Sequence, residues 1–325
     1  AGNVAADYSA DTFVVDQTVP KLAITGVADK SANNGDVVPV ISYSDTNFNK
    51  SAVSISLKGW NKGNVPLAGI FADAANGQVY TFKNFEKVKE NDDLYTLTAT
   101  LTDFAGNVST QTIMFSVNRF GSVYTFDETL KAIDGKYVKK EQDVILTETN
   151  VDSLKKDTIK VKMTKNGTPH DLVEGTDYTV TETGGEGTWS QYTYVVKKKL
   201  FAADGKYTVA IYSEDVAGNI NETIDEVKKA EVSFGIDKTA PVIVPIDLEN
   251  GQQYPVEEKT VSVNIKDNLV LNGAAIYLNG KQVEHSADGE NFTFAIQSSN
   301  DLQNVKIKAV DAAGNELSKE VKELL

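Results

Sequence analysis

Asp103-Phe104-Ala105-Gly106-Asn107, Asp215-Val216-Ala217-Gly218-Asn219 and Asp311-Ala312-Ala313-Gly314-Asn315 are three copies of one pattern, Asp-x-Ala-Gly-Asn. Each copy closes a run in which alternate residues are apolar. The runs are Tyr95, Leu97, Ala99 and Leu101; then Tyr207, Val209 and Ile211; then Val305, Ile307 and Ala309. A period of two marks a strand with one buried face. Gly and Asn tolerate positive φ, and an Asp side chain accepts backbone N–H groups in an Asx turn. The pattern therefore predicts the tip of a hairpin joining two late strands of a β domain that recurs along the chain.

A second recurrence brackets the first. Phe13-Val14-Val15-Asp16, Phe115-Ser116-Val117-Asn118 and Phe234-Gly235-Ile236-Asp237 share the form Phe-x-(Val/Ile)-(Asp/Asn). The second and third follow an Ala-Gly-Asn turn, where the last strand of a domain belongs. Asn118 lies 102 residues after Asp16, and Asp237 lies 119 after Asn118, a spacing that fits an array of modules of ordinary domain size. The division that follows is residues 1–16 as the terminal strand remnant of a preceding repeat, then domains at 17–118, 119–236 and 237–325. The chain is expected to be a segment of a longer protein. Val, Thr, Tyr and Phe are plentiful and helical periodicity is scarce, so the fold class is all-β.

Along the chain, Val19-Pro20 matches Ala240-Pro241 as a domain entrance, where proline suits an edge strand. Trp60, beside a Gly- and Asn-rich stretch, is expected to pack in a core. The second domain is the longest and has an atypical entrance, Arg119-Phe120-Gly121. Asn166-Gly167 and Asn279-Gly280 are hairpin dipeptides. Thr183-Gly184-Gly185-Glu186-Gly187-Thr188 reads as a mobile loop, and Trp189, Tyr192 and Tyr194 follow it. These aromatics have two readings: core and cross-strand packing, or an exposed platform for a ligand.

Composition narrows the function. The sequence has no cysteine, two histidines and a formal net charge of −14. The charge argues against nucleic acid and against an anionic membrane surface as partners. No apolar run is long enough to span a bilayer, so no membrane insertion is expected of this segment. Absence of cysteine suits a bacterial surface or a reducing compartment. His170 and His285 fall in different domains, which disfavours a Ser/His/Asp triad or a histidine-ligated zinc site, and no carboxylate pair stands out as an acid/base couple. No enzyme is expected here. An intramolecular Lys–Asn isopeptide cross-link is left open by the sequence, with no lysine at an otherwise apolar strand position to name for it.

The junction form Phe-x-(Val/Ile)-Asp-x-Thr-x-Pro, together with Asp-x-Ala-Gly-Asn late in the domain, resembles the bacterial immunoglobulin-like repeats of large cell-surface and secreted proteins. The likeness is strong over residues 16–118 and 237–325 and weaker in the first half of the second domain. It implies a seven-strand Greek-key sandwich of two antiparallel sheets, repeated as an extended array outside the cell. Tyr95 and Tyr207 stand eight residues before their Asp, the place of a tyrosine corner; Gln303 takes that place in the third domain, where the corner bond is expected to be lost. Three roles are compatible with the resemblance. One is a structural or adhesive stalk, with neighbouring repeats of the same chain as partners. Another is a host protein- or glycan-binding module centred on the second domain. The third is an accessory segment of a large secreted hydrolase.

In a sandwich of this topology the entrance lies at the same end as the loop after the second strand and the late hairpin. Acidic groups then converge at the junctions. In the first domain they are Asp16, Asp45 and Asp103 with Asn107; in the third, Asp237, Asp267 and Asp311 with Asn315. The second domain offers Glu148, Asp215 and Asn219 with only Asn118 at its entrance, one charge fewer. Calcium takes six to eight hard oxygen ligands, and this donor set suits it as an interdomain cofactor. The alternative is that each Asp only caps its own turn.

Overall fold

The structure is a computed structural model that describes residues 2–7, 9, 11–13, 15–221 and 230–325. Among these residues the strands form six sheets, two per core. In the first unit, strands Lys21–Thr25, Val40–Ser44, Gly77–Phe82 and Gly69–Ala74 lie side by side in that order. They face a sheet ordered Gly63–Val65, Val53–Gly59, Asp93–Thr102 and Val108–Val117. The third unit repeats this order. One sheet runs Val242–Pro245, Glu258–Lys266, Asn291–Gln297, Ser286–Asp288, and the other Lys281–Val283, Leu271–Leu278, Gln303–Asp311, Glu316–Leu324. First beside second and sixth beside fifth, against fourth, third, seventh and eighth, is the immunoglobulin-like Greek key. The chain is thus all-β, built of tandem immunoglobulin-like sandwiches, with eight strands in these units because a short strand extends the third-strand edge.

The middle unit adds to this plan. Val123–Phe126, Val144–Asn150, Ser190–Val196 and Tyr178–Thr183 form one sheet. The other has five strands, and its edge strand Tyr137–Val138 runs parallel to Glu231–Ile236. Helix Glu128–Ile133 fills the crossing between the two sheets. Asp127 caps it by accepting from the Leu130 amide, and Leu130 and Ile133 turn inward.

The alternating runs lie where their period puts them. Tyr95, Leu97, Ala99 and Leu101, like Tyr207, Val209, Ile211 and Val305, Ile307, Ala309, are fully buried. The Tyr95 hydroxyl donates to the Asn91 carbonyl at 2.9 Å and that of Tyr207 to Ala203 at 2.7 Å, completing two tyrosine corners. In the third unit the tie is replaced rather than lost, since the Gln303 amide donates to the Gln297 carbonyl at 2.9 Å. Trp60 departs from expectation. It is 56% exposed, because it sits just past the end of Val53–Gly59, and Gly59 abuts the Asp93 carboxylate too closely to admit a side chain. The described residues of 2–19 form no strand, and Phe13 is 83% exposed.

One core residue was unexpected. Glu148, on the same strand face as Val144 and Leu146, is fully buried. Four hydroxyls surround it. Ser122, Tyr124 (2.8 Å) and Ser213 (2.6 Å) donate to Oε1, and Tyr194 donates to Oε2 at 2.7 Å. Burial, reinforced by the Glu148 charge, pushes both tyrosine phenols up, so they remain donors. Glu148→Leu preserves approximate volume but takes the acceptor from four hydroxyls. Ser122 and Tyr124 keep the Asn150 and Asn221 amides as donors to them, while Ser213 and Tyr194 are left unpartnered at about 1–3 kcal/mol each. The middle unit should then lose on the order of 3 kcal/mol or more. Urea unfolding followed through Trp189 fluorescence in a Trp60→Phe background measures this, and an unchanged midpoint would refute it.

Candidate metal centre

The Asp-x-Ala-Gly-Asn turns are built alike. Asp103 Oδ1 accepts from the backbone N–H groups of Ala105 and Asn107, each at 2.8 Å, while the Asp103 N–H donates to the Asn107 carbonyl at 3.0 Å. Asn219 and Asn315 donate in the same way to Asp215 Oδ1 (2.8 Å) and Asp311 Oδ1 (2.7 Å). The glycines hold φ of 92°, 90° and 84°, a region closed to most side chains. In every copy the Asn side chain makes two further bonds. Its Nδ2 donates to the Asp Oδ2 of its own turn, at 2.8, 2.9 and 2.6 Å. It also donates to the carbonyl of the junction residue: Asp16 at 3.1 Å, Asn118 at 2.8 Å and Asp237 at 3.0 Å.

This corrects one expectation. Asn107 and Asn315 are clamps that hold the junction and the aspartate, with their amide nitrogens turned to those acceptors. The aspartates do converge. Asp16, Asp45 and Asp103 each offer a carboxylate oxygen within 4.8 Å of the others, and so do Asp237, Asp267 and Asp311.

The two triplets differ in what already satisfies them. Asp16 accepts from Asn47 Nδ2 at 2.6 Å and from the Thr18 N–H at 2.9 Å, and these donors hold its carboxyl below the usual range. At the later junction Asp237 is fully buried, and Oδ2 of Asp237 and Oδ2 of Asp267 are buried with no hydrogen-bond partner. Their Oδ1 atoms accept from Thr239 N–H (3.2 Å) and from Leu269 and Val270 N–H (2.9 and 3.0 Å). Burial pushes the Asp237 carboxyl up to about 6; the Thr239 N–H opposes the rise, and the charges of Asp267, Asp311 and Asp204 add to it. Two bare oxygens, one on buried Asp237 and one on half-buried Asp267, call for a proton, a water or a cation as partner. The donors are all oxygen, which suits a hard divalent ion such as calcium better than zinc or copper.

The entrance of the middle unit is made differently. Glu148, expected there, lies in the core as described above. Its place is taken by Asn150 and Asp152 at the end of the second strand, with Asp215 from the hairpin. Asn118 Nδ2 lies 2.9 Å from Asn150 Oδ1, from Asp152 Oδ2 and from Asp215 Oδ2. Sequence reading registered the missing charge at position 118 but not this bonding.

The aromatic trio forms no platform. Tyr192 is 1% exposed and Tyr194 fully buried; Tyr192 donates to Glu182 at 2.9 Å and accepts from the Leu154 N–H. Trp189 is half-buried and its indole N–H reaches across the junction to Asp93 Oδ1 at 2.9 Å. The glycine-rich loop before it also leans on the first unit through an exposed Lys30–Glu186 ion pair.

No protein-family model matches the chain, and no curated protein matches it in sequence. Solved structures of tandem modules are similar to it in fold. A tetra-tandem repeat from the extending region of a large adhesion protein is 16% identical, with 93% of this chain and 73% of that one covered and a TM-score of 0.35. The ICAM-5 D1–D4 ectodomain fragment is 7% identical, with 94% and 77% covered and a TM-score of 0.41. The fibronectin(III)-like modules of Clostridium thermocellum CbhA are 13% identical, with 62% and 93% covered and a TM-score of 0.29. At such values the function has to be read from this chain's own side chains.

The raised Asp237 carboxyl has a measurable consequence. The folded chain holds that proton up to about pH 6, whereas the unfolded chain releases it near 3.8. Between those values the native state binds more protons, so this group lowers stability as pH rises. In chelator, the difference in melting temperature between Asp237→Asn and wild type should therefore grow in favour of the variant from pH 4 to pH 7. A difference that stays flat with pH would contradict the assignment.

Proposed function

We propose that this chain is a non-catalytic spacer segment of a large bacterial surface or secreted protein, in which calcium bound between successive sandwiches stiffens their junctions. The observation that carries the reading is the Asp237–Asp267–Asp311 cluster, with two buried carboxylate oxygens that no protein group satisfies. Its position supports a mechanical role. Asp237 belongs to the link, Asp267 to the loop after the second strand of the third unit, and Asp311 to its late hairpin, so one ion would tie the link to two loops at once. Asp16, Asp45 and Asp103 repeat the arrangement at the first junction and would take a second ion. The links are short: Asp237 is bonded to the middle unit through its N–H to Val138, and Pro241 is buried on entering the third. A stalk built this way would be compliant where calcium is scarce and stiff in a calcium-replete exterior, holding an adhesive or catalytic region away from the cell. The net charge of −14 keeps such an array soluble and clear of anionic surfaces. The division at residues 17–118, 119–236 and 237–325 is the modular unit of this proposal.

A ligand that binds only the folded state raises stability by about 2.7 kcal/mol at one hundred times its dissociation constant. For a domain of this size that is on the order of 10 °C in melting temperature. Calorimetry in millimolar calcium against chelator should show such a rise, and Asp237→Ala and Asp311→Ala should each abolish the part belonging to the third unit. Identical traces for wild type in both buffers would leave the aspartates as turn caps and end the proposal.

A further inference from the structure

We infer that residue 118 exempts its junction from the ion: the carboxamide of Asn118 takes the place that a cation takes at the acidic junctions, locking the first and middle sandwiches together without calcium. This rests on the calcium reading above. Asn118, Asp16 and Asp237 are equivalent in the structure as well as in the motif, because each presents its carbonyl to the clamping Asn of the following late hairpin. The groups facing them are equivalent too. Asp215 corresponds to Asp103 and Asp311 on the hairpin, and Asn150 to Asp45 and Asp267 after the second strand, each accepting from the backbone N–H two residues on. Asp152 stands where Asn47 stands at the first junction.

The side chain of Asn118 is fully buried, and its orientation is set independently of those acids. Its Oδ1 accepts from the Gly121 N–H at 3.1 Å, which turns the NH2 group inward. There it meets three oxygens at 2.9 Å, as a small central ion would, and none of the three is left bare. Ser116 Oγ adds a bond to Asp152 Oδ2 at 2.9 Å. At position 237 the same place is held by a carboxylate, and the inward oxygens of Asp237 and Asp267 have no partner. Two carboxamides stand where the acidic junctions carry carboxylates: Asn118 for Asp237, and Asn150, which itself donates to Asp215 Oδ2 at 3.1 Å, for Asp267.

The remaining contacts run the same way. Backbone N–H groups of Arg119 and Phe120 donate to the Asp92 carboxylate at 3.0 and 2.9 Å, and the Arg119 guanidinium donates to the Phe85 carbonyl at 2.6 Å. With Trp189 on Asp93, these bonds tie the middle unit to the first with no ion between them. Calcium would then act on the described array as a local control, setting the joint at Asp237 and leaving the joint at Asn118 fixed.

The test exchanges the two residues in the full chain. Isothermal titration of calcium into chelator-stripped protein should show Asn118→Asp binding one ion more than wild type and Asp237→Asn one ion fewer. The sequence has no cysteine, so spin labels can be placed cleanly at exposed Lys58, Lys160 and Lys281 in the first, middle and third units. Stripping calcium should broaden the 160–281 distance distribution and leave 58–160 unchanged, and Asp237→Asn should keep 160–281 narrow in chelator. If wild type binds calcium but Asn118→Asp gains no ion, or if 58–160 broadens in chelator, the inference fails while the calcium reading stands. If wild type binds no calcium, both fall. Should Asn118→Asp not fold, Asp237→Asn decides alone, and a broad 160–281 distribution in chelator counts against the inference.

Discussion

The bond from the last residue of each Asp-x-Ala-Gly-Asn turn to the carbonyl of the junction residue is the constraint on which the ends of these sandwiches depend. It joins a hairpin formed late in each unit to the peptide that enters that unit, across 78 to 101 residues of sequence. Because the same Asn amide also holds the turn's Asp, the junction side chain and the hairpin carboxylate are brought together as a geometric consequence. The turn is satisfied internally, through its own backbone and the Asp Oδ1, so its amide remains available for this second task. A glycine at positive φ is what lets the chain reverse tightly enough for Asn to reach both acceptors.

Given that clamp, the chemistry of each junction turns on the side chain at the entrance and the one that ends or follows the second strand. Placing a carboxylate at the entrance assembles three acids in a partly dry space, where mutual repulsion and lost hydration oppose ionisation. At Asp16 that opposition is outweighed by the Asn47 amide and the Thr18 N–H, which hold the carboxyl below its usual range. At Asp237 no protein donor reaches the inward oxygen, and the carboxyl is pushed up accordingly. At Asn118 an amide replaces the acid, and with the Ser116 hydroxyl, the Asn150 and Asn219 amides and the Asp152 N–H it leaves each facing oxygen with a donor. The three junctions share one backbone design and differ in which carboxylate oxygens find protein donors; at the middle one burial still pushes the Asp152 carboxyl up, and the charges of Asp215 and Asp92 add to it.

The middle unit differs also in its core, where Glu148 and its ring of hydroxyls stand among apolar side chains. Tyr124 and Tyr194 have one face in the hydrophobic cluster and one atom on that carboxylate. A polar knot of this kind is stable only when every member is paired. It accounts for aromatics that would otherwise look like surface binding residues in a stretch next to a glycine-rich loop.

The sequence alone determined the all-β class, the repeat, the strands ending at Asp103, Asp215 and Asp311, and the turn that follows each. These follow from period-two alternation and turn chemistry, which act between residues close in the chain. It also named the six aspartates that converge, because sandwich topology places entrance, second-strand loop and late hairpin at one end. Alternation through Val144, Leu146 and Glu148 put Glu148 on the core face, yet a charge in that register reads as surface until its four hydroxyl partners, from three other strands or loops, are seen. Likewise the tertiary structure alone decided that Asn107 and Asn315 clamp the junction, that Gln303 finds a substitute corner bond, and that the Asn118 amide lies among Asn150, Asp152 and Asp215. Each of these depends on which donor faces which acceptor across tens of residues, and a hydrogen bond is made or lost over less than an ångström, a precision that residue type and spacing do not encode.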